Sequence, residues 1–371
     1  MFSTVKLLLQ RRGFLHFDLY IFSSSLLLLI LGLVMIYSTT LESSTNLMLR
    51  QIVFAVLGFL GMLGLAFFDY RKIKKISGVL YLIILLALLG VWFFGPSIRG
   101  STRWIDLGIF RIQPAEFAKL IMVIIMAKFL AESGEKLKDW RYVLLSALYV
   151  GIPVFFILIE PDLGSTLVIF FTWLLMLLFS RMSKKHLVVL LLILSLLSVF
   201  FWAFILQDYQ KDRIYTFLDP NQDPQGSGYN VIQSIISVGS GSITGRGLGR
   251  GLQSQLKFLP ERQTDFIFAS TAEELGLLGS AFIITMFGVI FVRLVKIIKH
   301  ARDNFGMYLS LGIFFMLLTQ VLINIGMNIG LAPVTGIPLP LISYGGSSLV
   351  STMLALGLIQ SVVARQKAVR F

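Results

Sequence analysis

Apolar runs of about 18 residues or more recur from one end of this chain to the other, each long enough to cross a bilayer as a helix. Hydropathy places ten of them, at 17–39, 47–67, 77–95, 115–131, 142–160, 163–180, 187–206, 265–292, 305–328 and 346–364. Within hydrocarbon every backbone polar group must find its partner inside the chain, so only helices or a closed barrel can span. These runs are continuous rather than alternating, which argues against a barrel. The chain is 56% hydrophobic and 14% charged, which leaves little for an attached soluble domain. The expectation is one all-α polytopic membrane domain over residues 1–371, with a long loop at 207–264 between spans seven and eight.

Basic residues set the orientation of such a bundle. With the N-terminus inside, the inner segments collect Arg11, Arg12, Arg71, Lys72, Lys74, Lys75, Lys136, Lys138, Arg141, Arg181, Lys184, Lys185, Lys296, Lys299, Arg302, Arg365, Lys367 and Arg370. The short outer loops hold chiefly Arg50, Arg99, Arg103 and Arg111. Both termini are therefore expected in the cytoplasm. The first 16 residues read as a basic cytoplasmic foot: the apolar core after them is too long for a cleaved leader, and no small-residue cleavage site ends it. The net charge of +13 is explained by this topology and by anionic lipid, without nucleic acid.

Cysteine is absent, and the three histidines, His16, His186 and His300, all fall on the cytoplasmic side. Acid/base chemistry at the outer face must then rest on carboxylates. A charge at bilayer depth is costly and usually faces a cavity or a partner. Six carboxylates lie in or at the ends of spans. Glu116 and Lys119, three residues apart after Pro114, share a helical face and can pair. That pair reads either as a packing device or as the wall of a polar cavity. Glu160 and Asp162 bracket Pro161, and Asp162 can cap span six through the Gly164 or Ser165 amide. Glu273 and Glu274 are expected roughly 12–14 Å deeper than Asp265 on one helix, packed against polar groups of neighbouring helices. Asp265 sits where the long loop re-enters the membrane in "KFLPERQTDFIFASTAEELG", with Thr264 placed to cap the helix it begins. It reads as dipole complementation at a helix start or as a general base at the mouth of a cavity. The loop itself offers an amphipathic segment (Val231, Ile232, Ile235, Ile236, Val238) suited to the interface, and a glycine-rich "GRGLGRG" that loosely resembles a phosphate cradle.

Four motifs, "GSTRWIDLG" with "QPAEFAK", "PDLGS", "FLPERQTDFIFASTAEELG" and "PVTGIPLPLISYGGSS", occur in order at outer loops and helix ends. On these the chain resembles the SEDS family of bacterial cell-wall proteins, and its elongation branch more than its division branch. Glu160 stands where the family often has glutamine, and Ser165 where threonine is frequent. The resemblance implies a peptidoglycan glycosyltransferase of the bacterial cytoplasmic membrane. Such an enzyme polymerises lipid II at the outer face and releases undecaprenyl pyrophosphate. It implies Asp265 as catalytic base and Glu116 with Lys119 as the family's paired charges. Arg103, Lys119, Lys257, Arg262, Arg246 and Arg250 are candidates for phosphate contact, and Asp162, Glu273 and Glu274 for a polar cavity. No metal-ligand spacing is visible, so a loosely held Mg²⁺ or Mn²⁺ brought by the pyrophosphate is expected, with no organic cofactor. The implied partners are a class B penicillin-binding protein and other membrane proteins of the elongation complex. A lipid II flippase and a noncatalytic scaffold that activates a transpeptidase are the rival readings.

Overall fold

The computed structural model describes residues 17–41, 47–96, 102–106, 108, 110–204, 206–226 and 228–366. The basic N-terminal foot with His16, and Arg99, Lys367 and Arg370, lie outside the described residues. The chain is helical almost throughout. In order it forms α1 (Leu19–Thr39), α2 (Leu47–Phe67) and α3 (Tyr70–Phe94), then a short hairpin of β1 (Ile105–Asp106) and β2 (Arg111–Ile112). There follow α4 (Pro114–Ser133), α5 (Trp140–Ile159), α6 (Leu163–Leu178), α7 (Lys184–Phe204), α8 (Asp208–Leu218), α9 (Tyr229–Ser240) and the single turn α10 (Leu252–Gln255). The chain closes with α11 (Ile267–Lys299), α12 (Asn304–Asn328) and α13 (Gly346–Val363).

The ten expected spans correspond to α1–α7 and α11–α13. Among the described residues, eight of these helices are long and apolar enough to cross a membrane by themselves. The exceptions are α6, with 16 residues, and α4, which carries Glu116, Lys119, Lys128 and Glu132. Helix starts follow from local chemistry. Asp18, Asp69, Asp139, Asp162 and Asp303 each accept from a first-turn amide of the helix that follows, and Pro114 opens α4 where its missing N–H costs nothing. α3 begins at Tyr70, well before the expected residue 77, because Asp69 caps it ahead of its charged first turn.

The core is built on α4, α12 and α13. α13 packs along α2, and α12 packs against α4, α6 and α11. At the other extreme, Leu190 is the only buried residue of α7, so that helix offers nearly its whole surface to lipid. The first and last thirds are tied at one end of the bundle. Gln360 of α13 accepts from the Asp18 amide at 2.8 Å and donates to its carbonyl at 3.0 Å, while Arg293 of α11 pairs with the Asp18 carboxylate at 2.6 Å.

α11 differs from the continuous span expected at 265–292. Gly276, at φ 67° and ψ −159°, breaks it into two helices. The stretch 277–299 is roughly 35 Å long at 1.5 Å per residue and crosses a ~30 Å hydrocarbon core alone. The stretch 267–275 precedes the break, at the end that carries Asp265. A break exposes backbone groups that hydrocarbon cannot satisfy. Here the long loop supplies the partners. The Leu277 and Leu278 amides donate to the carbonyls of Ser242 (2.9 Å) and Ile243 (3.2 Å). The Arg246 and Gly247 amides donate to the carbonyls of Glu273 (3.0 Å) and Glu274 (2.9 Å). Gly276 tolerates this conformation because it has no side chain: a Cβ there would lie 2.4 Å from the Gly245 nitrogen and 2.5 Å from the Ile243 oxygen.

Candidate functional site

Asp265 lies two residues before α11 and is held by its backbone. Asn324 and Asn328, one turn apart on α12, both donate to its carbonyl at 3.0 Å. Asn324 also donates to the Ile337 carbonyl at 2.8 Å, and the Asn328 side-chain oxygen accepts from the Ala269 amide at 3.0 Å. These two amides therefore fix the start of α11 and the 333–345 segment to one helix. Ser343 adds a second tie, donating to the Thr264 carbonyl at 2.6 Å. Gly336 lies beside the carboxylate, where a Cβ would stand 3.5 Å from Asp265 Oδ2, in ordinary van der Waals contact. Gly164, in the first turn of α6, packs more tightly: a Cβ there would lie 2.8 Å from the Ile337 side chain and 2.9 Å from the Thr335 carbonyl oxygen. Three segments distant in sequence thus converge on one carboxylate.

The expected cap at Thr264 does not form. Its hydroxyl donates to Glu261, and α11 has Phe266 at its N-cap with no side-chain cap. The electrostatics of Asp265 also run opposite to simple dipole complementation. Burial, and after it the Glu261 carboxylate, pushes the Asp265 carboxyl up to about 6, against the pull of Arg213 and Arg103. Arg213, on α8, was not singled out by sequence reasoning, because a cation in a polar loop gives no sign of where the loop folds back. Asn324 and Asn328 were missed too, although two asparagines four residues apart in an apolar helix are a readable signal.

Arg103 joins the site through the turn between α5 and α6. Its Nε donates to the Glu160 carbonyl at 2.9 Å, and a second guanidinium nitrogen donates to the Pro161 carbonyl. Asp162 caps α6 by accepting from the Ser165 amide at 3.0 Å, and its other oxygen accepts from Gln113 at 3.0 Å. Glu160 is fully buried, and neither carboxyl oxygen has a hydrogen-bond partner. Burial, reinforced by Asp162, pushes it up to about 8, so it is largely neutral at pH 7.

The other expected residues lie elsewhere. Glu116 and Lys119 form a buried pair at 2.7 Å inside α4, with Ser351 of α13 donating to the Glu116 carbonyl at 2.8 Å. Lys119 is thus committed to its carboxylate. Arg262 is buried and donates from Nε to the Thr39 carbonyl at 2.9 Å, pinning the loop to the end of α1. Arg246 and Arg250 are exposed. The "GRGLGRG" amides do not form an open cradle, because those of Arg246, Gly247 and Gly249 donate to Glu273 and Glu274. Lys257 is exposed on the same loop.

Glu273 and Glu274 face the loop as well as a neighbouring helix. Glu273 accepts from the Gln253 and Ser254 amides (2.8 and 3.0 Å) and the Ser254 hydroxyl (2.7 Å). Glu274 accepts from the Gly249 amide, from Gln255 and from Ser38 at the end of α1. Both lie in the stretch of α11 before the break at Gly276, on the same helical segment that follows Asp265. The interfacial segment expected at 231–238 is α9. It packs on α11 and α12, burying Val231, Ser234 and Ser237, while Ile235 and Ile236 stay exposed.

Residues 18–368 match the family model of FtsW, RodA and SpoVE, described as cell cycle protein. Stage V sporulation protein E of Bacillus subtilis strain 168 is 39% identical over 358 residues, covering 93% of this chain and 96% of its own. Peptidoglycan glycosyltransferase MrdB of Escherichia coli strain K12 is 38% identical over 290 residues, 78% of each chain. Among solved structures, a chain from work on the coordination of polymerization and crosslinking by a peptidoglycan synthase complex matches at TM-score 0.81 and 33% identity, covering 94% of this chain and 97% of that one. The rod shape determining protein RodA of Thermus thermophilus matches at TM-score 0.70 and 29% identity, covering 95% and 98%.

Proposed function

The chain belongs to the FtsW/RodA/SpoVE family, the SEDS proteins, and from that premise we propose that it is a peptidoglycan glycosyltransferase polymerising lipid II during cell elongation, with Asp265 as general base. The observation that carries the reading is a carboxylate at the start of α11, raised to about 6 by burial, within reach of the charges of Arg103 and Arg213. In the reaction the acceptor 4-hydroxyl attacks the anomeric carbon of the second sugar. The bond from that carbon to the pyrophosphate breaks with inversion, its electrons leave on undecaprenyl pyrophosphate, and Asp265 takes the hydroxyl proton. A carboxylate with a pKa near 6 is a stronger base than an ordinary aspartate yet is mostly ionised at pH 7. Arg103 and Arg213 supply positive charge beside the leaving group. Gly336 and the 333–345 segment limit where the sugars can stand.

A divalent cation belongs to the proposal in a limited form. Among the described residues no cluster of three or more His, Asp or Glu could hold a metal alone. Mg²⁺ is commonly held by one or two carboxylates plus substrate phosphates, and Asp265 with Glu261 could provide that protein share. When bound, the ion would neutralise charge on the departing pyrophosphate.

Polymerisation of purified lipid II measured against pH tests both points. Asp265 must be deprotonated to act, so activity should rise as pH passes upward through about 6 and level off above it. A profile flat from about pH 5 to 8 would remove Asp265 as the base. Excess chelator should slow the same assay and Mg²⁺ or Mn²⁺ restore it; full activity in chelator would remove the metal.

We also propose that both termini are cytoplasmic and that a class B penicillin-binding protein is the partner. The second point is supported by the likeness to a chain of a peptidoglycan synthase complex. Because the chain has no cysteine, single introduced thiols report orientation cleanly. An impermeant maleimide should label Asn221→Cys in intact cells and Ser183→Cys only after permeabilisation. The reverse pattern would invert the topology.

A further inference from the structure

At the end of the bundle opposite Asp265, a cleft of about 630 Å³ opens between the start of α3, the last turns of α4 and the start of α12. Four cations line it, Arg71, Lys74, Lys75 and Lys128, against two carboxylates, Glu132 and Asp303. The carboxylates are already engaged. Glu132 pairs with Lys74 at 3.2 Å. Asp303 accepts from the Tyr70 hydroxyl at 2.6 Å and from the Gly306 amide at 2.7 Å, and lies 3.5 Å from Arg71. Lys75 and Lys128 have no ion pair among the described residues. Arg71 Nε is buried without a hydrogen bond. The lining therefore carries two more positive charges than negative ones.

The wall is shaped rather than loose. Tyr70 is fully buried and stacks on Phe305 at 6.0 Å, and the Arg71 guanidinium lies 5.6 Å from the Tyr70 ring centre. This fixes the floor of the cleft and the position of its arginine. The other cations at this end stand differently: Lys138 and Arg181 share Glu135 on an open surface, at 2.5 and 3.0 Å. A concave site with surplus positive charge, two lysines outside any ion pair and a position between helices at one end of the bundle suits a phosphate group.

We propose that this cleft binds a phosphate-bearing anion, either the headgroup of an anionic phospholipid or a free phosphate. The site is separate from the glycosyl-transfer centre and joined to it through α4 and α12. α4 carries the Glu116–Lys119 pair, and α12 carries the asparagines that hold Asp265.

The test is retention of lipid by the detergent-purified protein, read by native mass spectrometry, so its outcome is independent of whether the chain polymerises glycan. Wild type should retain phosphatidylglycerol over phosphatidylcholine. Lys75→Gln with Lys128→Gln should lower that preference at least about tenfold, since losing one charge-assisted hydrogen bond to a phosphate costs roughly a factor of ten or more. Lys75→Arg with Lys128→Arg should preserve it. The same charge loss outside the cleft, Lys184→Gln with Lys185→Gln, should leave it unchanged. Preference that survives millimolar inorganic phosphate identifies the lipid headgroup. Thermal stabilisation of wild type by inorganic phosphate, lost in the Lys75→Gln, Lys128→Gln protein and without lipid preference, identifies the free anion. The proposal is overturned if wild type shows neither preference nor stabilisation, or if the two glutamine pairs behave alike.

Discussion

Asp265→Asn is expected to insert, fold and carry its usual thermal stability while losing about two to four orders of magnitude in lipid II polymerisation, the range typical for loss of a general base. The structure makes this substitution unusually clean. α12 grips Asp265 by its carbonyl through Asn324 and Asn328, and an asparagine presents the same carbonyl. α11 is not capped by this side chain, so no cap is lost. What changes is the group that accepts a proton. A purified variant working above about a tenth of the wild-type rate would fall short of the weakest general-base effect and would leave Asp265 with a purely structural part.

The second large effect is expected at Gly276. An alanine there meets backbone on two sides, Gly245 and Ile243, neither of which can swing away as a side chain can. It also forces a side chain into a region of φ and ψ that only glycine occupies readily. Relief requires moving the loop, which costs the four backbone hydrogen bonds that close the gap in α11. Strain and lost pairing together amount to about 3 kcal/mol or more. Gly276→Ala should lower the thermal midpoint, expose residues 242–255 to limited proteolysis and reduce polymerisation, with the spanning stretch 277–299 still inserted. Wild-type proteolytic resistance and activity would mean that the loop does not depend on the break.

The bundle was legible because span length is a property of composition. Ten apolar runs became ten helices, and Asp265 stood out as an outer carboxylate near cations. The break at Gly276 was not legible. Glycine is common in membrane helices, and hydropathy averages across a single dihedral, so 265–292 read as one rod. Reading one rod hid the partners of Glu273 and Glu274, since most of them are amides and side chains of a loop whose path the sequence does not give. Arg213 escaped for a related reason: its place beside Asp265 depends on how a polar loop of nearly sixty residues folds back.

The divided form of α11 also sets an order of events during synthesis. Loop residues 242–255 leave the ribosome before Gly276, so the gap can be stitched as soon as 277–299 has entered the bilayer. The groups that fix Asp265 come later. Asn324 and Asn328 arrive with the ninth span and Ser343 just ahead of the tenth. Until both are in place the start of α11 lacks these three ties, so a chain truncated before α12 is expected to keep the stitch at 242–255 and to lack the fixed position of Asp265.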